Sequence, residues 1–227
     1  MGALCAPVFA AAVLVRPHTR KIAGVRDSKT LSALQRQRVV EEIKRRSLAW
    51  GVGAASVAEI ERLNIRNATH LAMRRALRRI GTYDHVLVDG LKIRGFEEHI
   101  GPYTAIVDGD ASSYAIACAS VVAKVIRDRM MTLLSARYPG YGWERNQGYA
   151  TLEHRMAIRE LGLTPFHRRS FLALQRTLAG DQLGLFGDPD ALAEELSDEL
   201  SPDLVAVMEP LDADGPGESA DLVAATS

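Results

Sequence analysis

The chain has 227 residues, 47% of them hydrophobic, and is therefore long enough to bury one good core. Its formal net charge of zero hides an asymmetry, because all 28 Lys and Arg residues lie at or before Arg176. Of the 28 acidic residues, 13 lie between Asp181 and Asp221, so residues 1–176 carry 28 basic and 15 acidic side chains. This net charge of +13 indicates a domain that holds a polyanion.

Composition excludes several other classes of protein. The two cysteines, Cys5 and Cys118, lie among small apolar residues, so we interpret both as core residues in a reducing cytosol and expect no disulfide framework. The apolar run 7–15 is too short to span a bilayer. We therefore predict one domain, residues 1–176, followed by a largely disordered acidic tail, residues 177–227.

The first half of the chain alternates strands with helices. Apolar runs predict strands at 8–15 and 50–57. Ser32 and Ser56, each followed three residues later by Gln or Glu, are typical of capping boxes and predict that helices begin there. Asn64 predicts the start of a further, longer helix with apolar residues at helical spacing.

Two apolar strands that each end in a carboxylate are the most informative feature. Asp89 follows His85-Val-Leu-Val, and Asp110 ends Thr104-Ala-Ile-Val-Asp-Gly-Asp. A charge at the end of a buried strand faces solvent at the edge of the sheet, where two such acids suggest a divalent-metal site. The simpler alternative is that each acid accepts a hydrogen bond from a turn amide. Asp108 adds a third carboxylate nearby, which either binds metal or adds repulsion.

Helices and turns dominate the remainder of the basic domain. Small and branched residues predict a helix over about 115–138, and a second helix is predicted over about 152–161. His154 has no Cys or second His at ligand spacing, so we expect a histidine on the surface of that helix. Strands interleaved with helices place the chain in the α/β class.

Eight short stretches together resemble bacterial ribonuclease HII, across roughly residues 2–171. They are Asp27-Ser-Lys29, Glu61-Arg-Leu-Asn-Ile65, Val88-Asp-Gly90, Gly109-Asp110, Ala119-Ser-Val-Val-Ala-Lys124, Arg127-Asp128, Gly148-Tyr-Ala-Thr151 and His167-Arg-Arg-Ser-Phe171. Each stretch alone is weak, but their order and spacing are highly specific.

The resemblance implies a ribonuclease H-like mixed sheet flanked by helices, with a C-terminal helical region before the acidic tail. It also implies cleavage of RNA in RNA–DNA hybrids, including single ribonucleotides embedded in duplex DNA. Two ions, Mn²⁺ or Mg²⁺, are expected to be held by four carboxylates, of which Asp89 and Asp110 are two. A cytoplasmic monomer with no membrane partner is expected.

The resemblance also exposes a departure at the amino terminus. The family begins with a central strand ending in Asp-Glu-Ala-Gly-Arg-Gly, whereas here Met1 stands at the position of the Arg. Two of the four acids are then absent, and the flanking strands are expected to have unpaired backbone groups. We expect the true start codon to lie upstream, and little cleavage without it. The alternative is a catalytically silent, truncated hybrid-binding protein that is tethered to the replication clamp.

Substrate contacts are also implied by the resemblance. Tyr149 is expected to pack against the ribose of the ribonucleotide, its alternative being a tyrosine that covers the core. Ser28 and Lys29 are expected to hold the phosphate backbone, and Gly2 remains from the substrate-gripping loop. The basic run 167–169 is expected either to contact phosphates or to pack in the core.

The tail contains one short peptide of interest. Gln182-Leu183-Gly-Leu185-Phe186 resembles the peptides with which bacterial replication and repair proteins dock on the sliding clamp. An extended segment with two leucines and a phenylalanine can fill an apolar groove. The alternative is that these residues pack against the chain's own domain.

Overall fold

A computed structural model describes residues 2–16, 20–25, 31–178 and 222–226 of the chain. Its elements, in chain order, are β1 (Val8–Leu14), α1 (Ala33–Arg46), β2 (Ala49–Ala55), α2 (Val57–Arg78), β3 (Val86–Asp89), α3 (Glu97–Ile100), β4 (Tyr103–Ile106), α4 (Gly109–Ser112), α5 (Tyr114–Arg137), α6 (Trp143–Asn146), α7 (Leu152–Leu161), α8 (Leu172–Leu178) and β5 (Leu222–Thr226). This arrangement confirms the predicted mixed α/β class. Among the described residues, no helix is long and apolar enough to cross a membrane.

The described residues form two compact units. The sheet unit contains 9–54, 69–126 and β5. The helical unit contains 2–8, 55–68 and 127–178.

The sheet unit is built around five strands in the order β2-β1-β5-β3-β4. Strands β3 and β4 are parallel, with Val86 opposite Tyr103 and Asp89 opposite Ile106. All seven residues of β1 are buried. A strand buried along its whole length reads as a continuous apolar run, as this one does in the sequence.

Strand β5 lies in the middle of the sheet. It pairs antiparallel with β1, from Ala10 opposite Thr226 to Leu14 opposite Leu222, and parallel with β3 over Val86–Val88. This strand lies within residues 177–227, the tail that was predicted to be largely disordered. It corrects the expectation that the strands flanking the centre of the sheet would have unpaired backbone groups, because β5 pairs with both of them.

Close packing between β2 and α2 depends on the absence of side chains in the strand. A Cβ at Gly53 would lie 2.1 Å from the carbonyl oxygen of Ala72, and one at Gly51 would lie 2.5 Å from that of Ala76. The two glycines therefore let the backbone of the strand contact the backbone of the helix.

The helix starts confirm the capping predictions. The Ser32 hydroxyl accepts a hydrogen bond from the Gln35 amide, and the Gln35 side chain accepts one from the Ser32 amide. Ser56 and Glu59 make the same reciprocal pair. Asn64 interrupts α2 with φ of 66°, and its side chain accepts a hydrogen bond from the Asn67 amide, so the predicted second helix does begin there.

Candidate active site

Strand β3 brings one acid to the loop that carries the other. The Oδ1 atom of Asp89 accepts a hydrogen bond from the backbone N–H of Gly109, at 2.8 Å. Asp110 is the next residue, in the short helix α4, and both carboxylates are half-buried. The two acids predicted from the sequence thus come from adjacent positions at one edge of the sheet. The simpler expectation, an acid that accepts from a turn amide, also holds for Asp89.

Gly109 is the residue that permits this approach. A Cβ at this position would lie 3.1 Å from Asp89 Oδ1 and 2.6 Å from Cδ1 of Ile116. The preceding Asp108 is exposed and lies in the left-handed region, with φ of 52° and ψ of 41°. Asp is one of the few residues that tolerate this conformation, which turns the chain from β4 towards Asp110.

The donor chemistry of this edge fits a hard divalent cation. Carboxylate oxygens are the ligands that Mg²⁺ and Mn²⁺ prefer. The number of ligands is small, however, because no group of three or more His, Cys, Asp or Glu side chains suited to a metal occurs in the described part of the chain. Asp89 and Asp110 therefore suit part of a metal site but do not by themselves complete a site for two ions.

In the helical unit, the loop containing Tyr149 packs against the amino-terminal segment. Ala3 and Tyr149 form an antiparallel bridge, and the Leu4 amide donates a 2.7 Å hydrogen bond to the carbonyl of Gly148. A Cβ on Gly148 would lie 2.6 Å from the sulfur of Cys5, so this contact requires glycine. Gly2 is exposed at the start of the same segment.

Arg168 holds the other side of the amino-terminal segment. Arg168 is only 2% exposed, and its guanidinium donates to the carbonyl oxygens of Ala6, Ala3 and Pro7, at 2.9, 3.1 and 3.2 Å. Burial lowers the pKa of Arg168 to about 10, which still leaves the side chain charged at neutral pH. The carbonyl dipoles therefore replace the water that a buried cation would lose. Of the two expectations for this residue, packing is the one observed.

Tyr149 presents its ring beside a cation. The side chain is 48% exposed, and the guanidinium carbon of Arg127 lies 5.2 Å from the centre of the ring. Arg127 also donates a 2.6 Å hydrogen bond to the carbonyl of Gln147. A partly exposed aromatic ring next to an arginine is suited to a sugar or a base flanked by phosphate.

Two histidines of the helical unit are buried, and one of them is His154, which was expected on the surface of its helix. His154 is fully buried, His167 is 1% exposed, and their Nε2 atoms lie 3.2 Å apart. Burial lowers the pKa of both imidazoles, that of His167 to about 3. The expectation for His154 was wrong because the buried residues of α7 are His154, Ala157 and Ile158, so that position lies on the apolar face of the helix.

Both cysteines are free and buried, as predicted for core residues. Burial raises the pKa of the Cys5 thiol to about 12 and that of Cys118 to about 11. Neither thiol is therefore a nucleophile at neutral pH. The predicted backbone contacts Ser28 and Lys29, and the tail peptide Gln182, Leu183, Leu185 and Phe186, lie outside the described residues.

The family model for ribonuclease HII matches residues 1–174. The chain belongs to the ribonuclease HII family. Its members act as endonucleases on RNA–DNA hybrids and use divalent metal ions. This family membership accounts for the basic charge of the domain and for the acid-ended strands at one edge of its sheet.

Relatives from two bacteria match most of this ribonuclease HII chain. The protein is 53% identical over 173 residues to ribonuclease HII of Thermosynechococcus vestitus, which covers 75% of this chain and 79% of the relative. It is 48% identical over 182 residues to ribonuclease HII of Halorhodospira halophila, covering 79% and 91% of the two chains.

Two solved archaeal structures share the fold. The ribonuclease H2 of Pyrococcus horikoshii has a TM-score of 0.60 at 21% identity, covering 78% of this chain and 92% of its own. The ribonuclease HII from a PCNA complex of Archaeoglobus fulgidus has a TM-score of 0.59 at 22% identity, covering 81% and 94%.

Proposed function

We propose that this ribonuclease HII cleaves the RNA strand of hybrids, including single ribonucleotides embedded in duplex DNA, with Asp89 and Asp110 among the ligands of its divalent ions. The observation that carries the proposal is the hydrogen bond from Gly109 to Asp89, which holds one acid against the loop of the other. Family membership favours this enzyme over a silent hybrid-binding protein.

Asp89 and Asp110 would hold part of the coordination shell of Mn²⁺ or Mg²⁺, and a bound ion would supply a water of lowered pKa and positive charge that stabilises the leaving oxygen. The protein's own contribution is to hold oxygen ligands at the sheet edge. A pair of ions requires further ligands beside Asp89 and Asp110, and the strength of metal binding is therefore the first property to measure.

Tyr149 is proposed to contact the ribose and so to distinguish RNA from DNA. Its ring is half-exposed and lies beside Arg127, a cation suited to the adjacent phosphate. Gly2, exposed next to the Ala3 bridge to Tyr149, is proposed to allow close approach of the nucleic acid backbone. Ser28 and Lys29 are proposed to hold a phosphate of the same strand.

The test of the metal ligands is Asp89→Asn, with Asp84→Asn as a matched control. Asp84 is an exposed acid that precedes β3, whereas Asp89 ends the same strand. Asp89→Asn should weaken Mn²⁺ binding at least tenfold, abolish any manganese-dependent cleavage, and leave hybrid binding intact. Unchanged Mn²⁺ binding in Asp89→Asn would remove Asp89 from the site.

Tyr149→Ala tests discrimination of the sugar. It should weaken binding to a DNA duplex that contains one ribonucleotide, by roughly tenfold, and leave binding to the all-DNA duplex nearly unchanged. An equal loss on both duplexes would mean that the ring supports general binding and does not detect the 2′-hydroxyl.

A second proposal concerns the location and the protein partner of the enzyme. Its free cysteines suit a reducing compartment, and we propose that it acts in the cytoplasm. We propose that Gln182, Leu183, Leu185 and Phe186 dock the enzyme on the sliding clamp. One of the matching folds comes from a complex of ribonuclease HII with PCNA, which supports a clamp as partner. The double substitution Leu185→Ala with Phe186→Ala should abolish capture of the purified clamp, and unchanged capture would dismiss the peptide.

A further inference from the structure

A trio of polar rings lies in the core of the helical unit. Trp143, His154 and His167 are each at most 1% exposed. Nε1 of Trp143 lies 2.9 Å from Nε2 of His154, and Nε2 of His167 lies 3.2 Å from the same atom. Polar groups cost free energy in a core unless each finds a partner, so the direction of every hydrogen bond in the trio matters.

The partners allow only one arrangement of the protons. The indole N–H of Trp143 can only donate, so His154 must accept at Nε2 and carry its own proton at Nδ1. Nδ1 of His167 accepts a hydrogen bond from the Thr164 amide, at 2.9 Å, which leaves the proton of His167 at Nε2. This Nε2–H and the indole N–H of Trp143 then share the single lone pair on Nε2 of His154. Both imidazoles are then neutral and each ring nitrogen has a partner.

The N–H group at Nδ1 of His154 donates a hydrogen bond to the loop that contains Tyr149. Nδ1 of His154 lies 2.9 Å from the carbonyl oxygen of Tyr149. The Thr151 amide donates to the same oxygen at 2.8 Å, and the Thr151 hydroxyl caps α7 by accepting from the His154 amide. The main chain of Tyr149 is therefore held from inside the core, whereas its ring is half-exposed.

We propose that His154 is a positioning residue for Tyr149, fixed as an Nδ1–H donor by Trp143 and His167, and that it sets the direction in which the Tyr149 ring meets the ribose. The proposal rests on the proposed ribose contact of Tyr149. An apolar residue at position 154 would fill the core but would leave the Tyr149 carbonyl with one donor fewer. A histidine with a free choice of tautomer would donate from either nitrogen, and the Trp143 N–H removes that choice.

The charged groups around the trio do not disturb this state at neutral pH. Burial keeps the pKa of both imidazoles below the usual value; Glu153 opposes this at His154, whereas Arg169 adds to it at His167. The rings of Tyr141 and Tyr138 are the other titratable groups of the cluster, and Tyr141 contacts both histidines. His154 therefore remains a neutral Nδ1–H donor throughout the neutral pH range.

The first measurement needs no substitution. Long-range ¹H–¹⁵N spectra of the whole chain at pH 7 report which nitrogen of each imidazole carries the proton. The expected result is Nδ1–H for His154 and Nε2–H for His167. An Nε2–H tautomer at His154 would overturn the proposal, because the imidazole would then present no donor to the carbonyl oxygen of Tyr149.

Two substitutions of similar size test the roles of the two ring nitrogens of His154 separately. His154→Asn places an amide N–H near Nδ1 and loses the contact with Trp143, whereas His154→Gln places its amide near Nε2 and loses the donor to Tyr149. Backbone ¹⁵N relaxation should show a more mobile Tyr149 in the Gln variant and parental order in the Asn variant. Equal order in both folded variants would contradict positioning, whatever the role of Tyr149 in binding.

A double-mutant cycle links position to recognition. His154→Gln should weaken binding of a duplex with one ribonucleotide by roughly fivefold, the effect of one hydrogen bond, and leave the all-DNA duplex unaffected. In a Tyr149→Ala background the same change should have no further effect. A loss that persists in that background would show that His154 affects binding independently of the Tyr149 ring, and would contradict the proposal. If Tyr149→Ala itself has no effect, the ribose contact fails, and the relaxation data still decide the positioning.

Discussion

The central strand offers a test in which one backbone N–H is removed. Ala224 lies in the middle of β5, opposite Ala12 in β1 and Val88 in β3. Proline there removes a ladder donor and is not accommodated in a central strand. Its neighbours in the pairing register are buried, so an acceptor left without a partner costs about 1–3 kcal/mol.

The upper limit of the loss in free energy of unfolding follows from all the residue pairs that β5 makes. Five residue pairs join it to β1 and three join it to β3. These pairs correspond to roughly six ladder hydrogen bonds, which at about 1 kcal/mol each would cost about 6 kcal/mol if the strand detached. We therefore expect Ala224→Pro to lower the free energy of unfolding by about 3 kcal/mol, between these limits. For a chain of this size, that lowers the Tm by about 6–12 °C.

The control is Ala213→Pro, the same substitution in the same tail but outside β5. Thermal unfolding of the parent and both variants should show a loss only for Ala224→Pro. Amide hydrogen exchange should also quicken at Ala10–Leu14 and Val86–Val88 in that variant alone, since these residues pair with β5. If both variants unfold within about 2 °C of the parent, β5 does not contribute a strand to the folded sheet.

Three further outcomes follow from contacts in the two units. Because burial holds the folded pKa of His167 at about 3, below its usual 6.5, the unfolded chain binds more protons. The free energy of unfolding should therefore fall as the pH drops from about 6.5 towards 3, with a shallower slope in His167→Gln. Arg168→Lys should cost roughly 3–5 kcal/mol in chemical denaturation, because an ammonium cannot span three carbonyls, whereas the exposed Arg169→Lys should change little. Gly109→Ala, which would place a Cβ 3.1 Å from Asp89 Oδ1, should weaken Mn²⁺ binding in calorimetry.

Local chemistry made two helix starts and the acid-bearing edge of the sheet predictable. Ser32 and Ser56 bond as their sequence spacing predicts, because a capping box depends only on residues within one helical turn. The approach of Asp89 to Gly109 could also be predicted, since consecutive parallel strands end at the same edge of a sheet.

Features that depend on distant partners were not predictable in the same way. The burial of His154 follows from the apolar positions 157 and 158 on the same face of α7, a signal present in the sequence but outweighed by the expectation for a polar side chain. Its hydrogen bonds to Trp143 and His167 join residues 11 and 13 positions away, and no local pattern encodes them. Strand β5 is five residues long and follows an acidic segment, so composition alone did not predict a strand that forms by pairing with β1 and β3.

The position of β5 bears directly on metal binding. It runs parallel to β3, so both strands point towards the edge where Asp89 ends, yet β5 has the sequence Leu-Val-Ala-Ala-Thr and contributes no carboxylate side chain. Asp89 and Asp110 are then the principal candidate ligands at that edge in the described part of the chain. Two carboxylates neutralise one divalent cation, whereas a second cation close by would add uncompensated repulsion. Calorimetric titration with Mn²⁺ should therefore give one weakly bound ion per chain, lost in Asp89→Asn. Two tightly bound ions would show that additional ligands complete the site, and residues 26–30, which contain Asp27, would be the first place to look for them.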